Sequence, residues 1–410
     1  MDRKPNRRKR WDPPSVGTLA TGVAVAYATF RLVQWAWGDS KKEKEGNEAV
    51  RSAWTSLRTP PMNGSNRPAP STVGFNTGRW RLRRQRMTRC REDTLKALNG
   101  FLPTLRRIIE RETDTTQVRK ALKKIRAARD SPDYSVEEER LLWATFKVRS
   151  MTQMIATAYA HTILFLVLSV QVNLLGGRLF YQHPHELNTS NGITSDDKQL
   201  AYQTIHRFVL THTYEFFFQR GLTSLTHTVE RAVTDMVADW DVLAPTSLRM
   251  TRESVEEAIS KIRAVVEGGR VGYRNGHPRN LMRFLMPPSA SLEVVIDYEQ
   301  ARSILDETWD LIESPVFADA QYDSLTTTFD ILREKYWGSL FEPVSELSED
   351  SQWTTKPLAT VITKMQKSSQ SFYEDAEPDS VREFQIQVNP YCAVLQTLPS
   401  VLELGDVSFN

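Results

Sequence analysis

The alternation of apolar and polar positions divides the chain into an early apolar run, a polar stretch and a long succession of helical segments. The strongest signal is the tract 143–180, WATFKVRSMTQMIATAYAHTILFLVLSVQVNLLGGRLF. From Ile155 to Val170 only His161 can carry charge near neutral pH, yet the run falls short of the roughly 20 apolar residues that span hydrocarbon. Upstream, Ser135 and Glu138 form an S-x-x-E capping box behind Pro132, and Glu137, Glu138 and Glu139 place negative charge in the first turn, where the helix dipole favours it. A helix starts there, and neither proline nor glycine interrupts it before Gly176 and Gly177. The spacing predicts one helix of about 40 residues, roughly 60 Å long, ended by the glycine pair. Its first half mixes charge with apolar residues and its second half is apolar on every side. That is the pattern of a helix whose far end other helices bury, so the tract reads as a bundle core and not as a membrane span.

Helical spacing recurs between Thr94 and Arg129, through Leu95, Leu98, Leu102, Leu105, Ile108, Ile109, Val118, Leu122 and Ile125, with Pro103 near a helix start. It resumes over 198–242, 247–266 and 291–311, and a short helix begins at Pro357. Residues 181–197 and the RVGYRNGHPRN stretch around Arg270 read as loops, while 347–356 and 374–380 are polar, acidic connections. Strand signals are sparse and no repeat of fixed period occurs. The fold class is all-α: an N-terminal membrane anchor followed by a single elongated helical bundle built around one long central helix.

The anchor is the run 16–37, VGTLATGVAVAYATFRLVQWAW, which carries one charge, Arg31, and ends in Trp35 and Trp37, residues suited to a membrane interface. The preceding segment 1–15 is basic through Arg3, Lys4, Arg7, Arg8, Lys9 and Arg10. A cleaved signal peptide fits less well, because the run exceeds a signal's apolar region and no clear cleavage site follows; an amphipathic or buried helix is the other alternative. Residues 38–78, rich in Pro, Gly, Ser and Asn toward their end, read as a flexible linker. Residues 79–410 make up the cytosolic helical domain.

Composition adds an asymmetry and removes several functions. Residues 1–130 carry 30 Lys plus Arg against 12 Asp plus Glu, and the remainder 23 against 38, behind a net charge of +3. The arginine-rich stretch 79–91, RWRLRRQRMTRCR, suits anionic lipid headgroups or nucleic-acid phosphates as well as a solvated helix face. One tryptophan among those arginines is thin support for base stacking, so nucleic acid is not expected. Only Cys90 and Cys392 are present, too few for a disulfide framework or a cysteine-ligated zinc. The seven histidines form no HExxH pattern, and neither a phosphate loop nor a nucleophile elbow occurs. His161, on an apolar helix, reads as a satisfied core residue, and the Asp306–Glu307 pair as a solvated face. The chain is not expected to be an enzyme, nor to hold a cofactor or a metal.

Surface recognition remains. Trp143 and Phe146 fall at i and i+3 on one helix face with Lys147 at i+4. Large aromatics beside a cation suit a site where a partner helix lies in a groove, its apolar anchors against the aromatics and an acidic residue toward the lysine. The competing reading is that Trp143 is core.

Several segments then agree with one another. W-x-x-F-K at 143–147, Ser150 to Thr152, Ala158-Tyr159, VQVNLLGG at 170–177, FLPTLR at 101–106 and ILDETWDLIESPVF at 304–317 stand in the order in which the peroxin-3 family carries similar segments, behind a basic N-terminus and an apolar anchor. The chain resembles that family from Arg83 to about Phe317, and weakly beyond. The resemblance implies a receptor of peroxisome biogenesis, held in the membrane of a peroxisome or a glycosome-type relative by a single N-terminal span, with its helical domain in the cytosol. It implies a groove for an amphipathic helix of peroxin-19, the chaperone that delivers peroxisomal membrane-protein cargo. Trp143, Phe146 and Lys147 match that groove, with Leu142, Ile125 and Leu179 lining it. A family basic residue just upstream of the tryptophan appears here as Glu139. Other functions compatible with the sequence are a membrane-anchored tether for cytoskeletal or autophagy adaptors and, less well, an arginine-rich RNA binder.

Overall fold

In the computed structural model the described residues are 73–129, 134–186, 209, 213–244, 249–268, 281–286, 299–334, 340–341, 355–374 and 390–409. The expected anchor at 16–37, the targeting residues Arg7, Arg8, Lys9 and Arg10, the interfacial Trp35 and Trp37, and most of the expected linker lie outside them, as do residues 187–208, which hold most of the expected loop 181–197 and the start of the expected helix 198–242, and residues 269–280, which hold the expected loop around Arg270. The described elements are α1 (Val73–Thr113), α2 (Thr115–Ala127), α3 (Val136–Glu186), a π-helical turn (Phe217–Gly221) running into α4 (Leu222–Met236), α5 (Arg252–Val266), a 3-10 turn (Leu281–Phe284), α6 (Glu299–Ile312), α7 (Pro315–Leu332), α8 (Leu358–Glu374), α9 (Pro390–Leu395) and α10 (Pro399–Phe409). Two strands of two residues each, β1 (Arg249–Met250) and β2 (Lys356–Pro357), pair antiparallel. The all-α expectation holds.

The core is α3. The 18-residue window most like a membrane span lies 94% buried inside the protein. Helices α1, α2, α4, α6, α7, α8 and α10 all pack on α3, so its apolar residues find partners on every side. Ala156, Ile163, Leu164, Phe165, Val167 and Leu168 are fully enclosed. Polar residues among them are mostly satisfied in pairs. Tyr214 donates to Gln171 Oε1 at 2.6 Å, whose amide donates to Thr213 at 3.2 Å. Thr162 and Thr328 hydroxyls meet at 2.9 Å.

The serine half of the capping box forms, with the Glu138 amide donating to Ser135 Oγ at 3.3 Å. The far end differs from expectation. Helix α3 is 51 residues long and runs through Gly176 and Gly177. Those glycines are not caps but contact points: a Cβ on Gly176 would meet Cys90 Sγ, and one on Gly177 would meet the Phe409 carbonyl. Their lack of a side chain lets α1 and α10 approach the central helix, and packing on both sides outweighs the modest helix propensity of glycine, about 1 kcal/mol each.

Helix α1 also differs. It begins at Val73, so the last residues of the expected linker are helical, and Pro103 lies inside it, not near its start. Pro103 is exposed, while Leu98, Phe101, Leu105 and Ile108 beside it are at most 1% exposed. Burying such side chains is worth about 1.5–3 kcal/mol each, enough to carry an interior proline that costs about 3 kcal/mol. The pattern expected to continue from Thr94 to Arg129 breaks at Asp114, whose φ of 40° is left-handed, so α2 leaves α1 at an angle. Two junctions follow standard capping: Thr251 Oγ1 accepts from the Ser254 amide at 3.2 Å at the start of α5, and Ser314 Oγ accepts from the Phe317 amide at 3.2 Å ahead of Pro315 in α7. The second explains the ESPxF motif, a cap followed by the one residue whose missing N–H is harmless at the first helical position.

Candidate docking site

Helix α2 is short and amphipathic. Thr115, Val118 and Leu122 face α3, and Arg119, Lys120, Lys123, Lys124 and Arg126 face solvent. No Asp or Glu occurs between Thr115 and Ala127, so this outer face is a cationic strip. Thr115 Oγ1 donates to Gln153 Oε1 at 3.0 Å, pinning the start of α2 to α3.

The other end of α2 is tied to the first turn of α3 by Glu139. Its carboxylate is completely buried and accepts hydrogen bonds from Arg129 Nη2 at 2.7 and 3.0 Å, from Tyr134 Oη at 2.5 Å and from Arg126 Nε at 3.4 Å. Burial works to raise the Glu139 pKa, but hydrogen bonds from Arg129 and Tyr134 and the charge of Arg129 outweigh it and hold the carboxyl at about 2. Arg126 has a second contact. Its guanidinium lies 4.7 Å from the centre of the Trp143 ring, a cation–π arrangement.

Trp143 and Phe146 form an edge-to-face pair, centroids 5.9 Å apart at 73°. The face predicted from their spacing is therefore real, but it is turned inward: Trp143 is 5% exposed and Phe146 and Lys147 3%. The Trp143 indole N–H is buried with no hydrogen-bond partner among the described residues. Leu142 and Ile125 are half-buried, and Leu141 is 68% exposed.

Lys147 does not point to a rim. Its ammonium donates to the carbonyls of Val237 at 2.5 Å and Trp240 at 2.7 Å just past the end of α4, joining the Trp240 amide that also donates to the Val237 carbonyl at 3.1 Å. Burial pushes its pKa down, opposed by the nearby Asp241 and Asp239. Leu179 stands on α3 about ten helical turns beyond Trp143, roughly 54 Å along the axis. It therefore cannot line one groove with Trp143, and its side chain lies outside the described residues. The residues that sequence reasoning passed over are Arg126 and Arg129. The signal available for them was the run of cations in α2 with no acid between them.

Among the described residues no group of three or more His, Cys, Asp or Glu could hold a metal. His161 is enclosed on α3 as expected, its ring near Phe372 and Tyr391 and its Nε2 3.5 Å from Cys392 Sγ. It is not satisfied as expected, because Nδ1 has no partner among the described residues; burial pushes its pKa down to about 4.

A sequence model of the peroxin-3 family matches residues 129–408, from the end of α2 through the last helix. The chain belongs to the peroxin-3 family. It is 24% identical over 256 residues to peroxisomal biogenesis factor 3 of Rattus norvegicus, covering 60% of this chain and 63% of the rat protein. It is 24% identical over 268 residues to peroxisome biogenesis protein 3-2 of Arabidopsis thaliana, covering 62% and 65%, and 23% identical over 257 residues to peroxisomal biogenesis factor 3 of Homo sapiens. The chain thus matches a little under two thirds of the length of these relatives. The relatives it matches are named for peroxisome biogenesis.

Proposed function

We propose that the chain is a membrane-anchored docking receptor that binds peroxin-19 carrying peroxisomal membrane-protein cargo, through an amphipathic helix of peroxin-19 laid across the corner of α2 and α3. The observation that carries this reading is the Trp143–Phe146 pair beneath that corner, with an indole N–H that nothing among the described residues accepts. A buried donor left without an acceptor costs about 1–3 kcal/mol, and a docked chain that supplies one recovers it. Ile125 and Leu142 flank the corner, half-buried, and offer apolar surface to a partner's aromatic or leucine anchors. Lys147 supports the floor of the site by holding the end of α4, and does not itself reach the ligand.

In this reading residues 16–37 anchor the chain in the peroxisomal membrane, with the helical domain toward the cytosol. The arginines of α1 lie near anionic lipid, where Arg81, Arg84 and Arg89 are exposed. No catalytic step is part of the function, and no cofactor is needed. The test is calorimetry with the peroxin-19 helix and the full chain in detergent. Trp143→Ala is expected to weaken binding by about 2–4 kcal/mol, the range of a buried aromatic hot spot. Unchanged affinity in a variant that keeps its helical circular dichroism and melting transition overturns the site. For the anchor, deletion of residues 1–40 is expected to release the protein from the organelle; full retention overturns that part.

A further inference from the structure

Arg126 occupies the place where a docked side chain would meet the Trp143 ring. Its guanidinium stacks on that ring at 4.7 Å and its Nε donates to Glu139 at 3.4 Å, yet its side chain remains 48% exposed. Its hold on Glu139 is the weakest of the three, because Arg129 and Tyr134 donate to the same carboxylate at 2.5 to 3.0 Å. Glu139 stays satisfied if Arg126 leaves. Along the same helix Arg119, Lys120, Lys123 and Lys124 are exposed, and among the described residues no ion pair neutralises them.

We propose that Arg126 is a movable cover over Trp143 that an acidic amphipathic helix lifts, a partner carboxylate taking the guanidinium while the partner's apolar anchor takes the ring. The inference rests on the docking reading and adds to it the chemistry of the partner: apolar anchors on one face, and Asp or Glu on the face turned to α2. Burial of the anchor alone would have to break the cation–π contact and leave Arg126 with only its long bond to Glu139. A carboxylate at the right turn gives Arg126 a short charge-assisted hydrogen bond in place of the cation–π contact and the long 3.4 Å bond to Glu139. The cationic strip of α2 supplies complementary charge over the remainder of the ligand and speeds encounter at low salt.

The experiment uses the full chain in detergent and two synthetic helical peptides with the same apolar face and phenylalanine anchor. One carries Glu on its polar face and the other carries Gln. The wild type is expected to bind the Glu peptide about tenfold more tightly, the effect of one charge-assisted hydrogen bond. Arg126→Gln is expected to remove most of that preference while binding the Gln peptide at least as well as wild type, because the cover is gone. Glu139→Gln, which loosens Arg126, is expected to tighten the Glu peptide. A fluorine label on the tryptophans, with the Trp143 resonance identified by Trp143→Phe, provides a readout without ligand: Arg126→Gln is expected to shift that resonance. An unshifted resonance, or a Glu preference that survives Arg126→Gln, overturns the cover. If Trp143→Ala weakens both peptides while that preference persists, docking stands and the cover alone fails. If Trp143→Ala changes neither, the docking site itself fails. Vesicles of equal parts phosphatidylserine and phosphatidylcholine that displace the Glu peptide from wild type but not from Arg126→Gln would assign the strip to a membrane and overturn the proposal.

Discussion

Tyr159, in the middle of α3, donates a 2.8 Å hydrogen bond to Glu267, just past the end of α5, and both are buried. Glu267 also accepts from Arg263 Nε at 2.8 Å, and the Arg263 guanidinium lies 4.7 Å from the centre of the Phe329 ring. The trio joins α5 to α3 and α7 with every charge matched. Arg263→Ala leaves a buried carboxylate without its cation and is expected to destabilise the fold by about 3–5 kcal/mol. Tyr159→Phe removes one donor and should cost about 1–3 kcal/mol. Urea unfolding of the two variants gives the ordering; a larger loss for Tyr159→Phe than for Arg263→Ala would show that the tyrosine, and not the cation, is the main hold on Glu267.

His161 makes stability depend on pH. Its folded pKa is about 4, lowered by burial from an ordinary value near 6.5. Between those values the unfolded chain binds a proton that the folded chain does not, so stability is full above about pH 6.5 and falls as the pH drops toward 4. The loss at the lower end is up to about 3 kcal/mol from this residue. His161→Gln is expected to flatten that part of the profile, measured as the melting temperature from pH 7 to pH 4. An unchanged slope would show that other groups carry it.

Lys147→Met separates a supporting lysine from a ligand-contacting one. The Trp240 carbonyl loses the Lys147 donor and the Val237 carbonyl keeps only the Trp240 amide, so the variant should lose about 1–3 kcal/mol of stability. Hydrogen exchange should quicken at the end of α4. Affinity for a partner helix measured well below the melting transition should change little, and a large loss of affinity without a loss of stability would place Lys147 in contact with the ligand.

The glycine pair offers a rescue. Gly177→Ala drives a Cβ into the Phe409 backbone, whereas at Gly176 the obstruction is the Cys90 side chain. Each alanine is expected to cost about 1–3 kcal/mol and to loosen α10, seen as faster proteolysis near residue 399. Cys90→Ala should restore the Gly176 variant and not the Gly177 variant. Rescue of both, or of neither, would mean that the contact with α1 and α10 is not what these glycines serve.

Much of the fold was legible in local signals. Ser135 with Glu138 marks a helix start because capping is decided within four residues, and an apolar tract without a polar face marks a helix enclosed by others. What stayed hidden depended on neighbours distant in sequence. Gly176 and Gly177 look like a terminus until α1 and α10 are seen against them, and Asp114 gives no local warning of its left-handed turn. At the candidate site the spacing identified Trp143 and Phe146 as a pair. It could not identify which cation stands beside them, because Lys147 is captured by the end of α4, more than ninety residues further on, and Arg126 is brought in from another helix.

The enclosure of α3 has a consequence for the order in which the chain is made. Synthesis delivers this membrane-like window well before α8 and α10, which help to bury it. For that interval the nascent polypeptide displays a segment that a translocon or a lipid surface could accept as a span. A premature stop ahead of α10 is therefore expected to leave part of this window uncovered, seen as a product that partitions into membranes more than the full chain does.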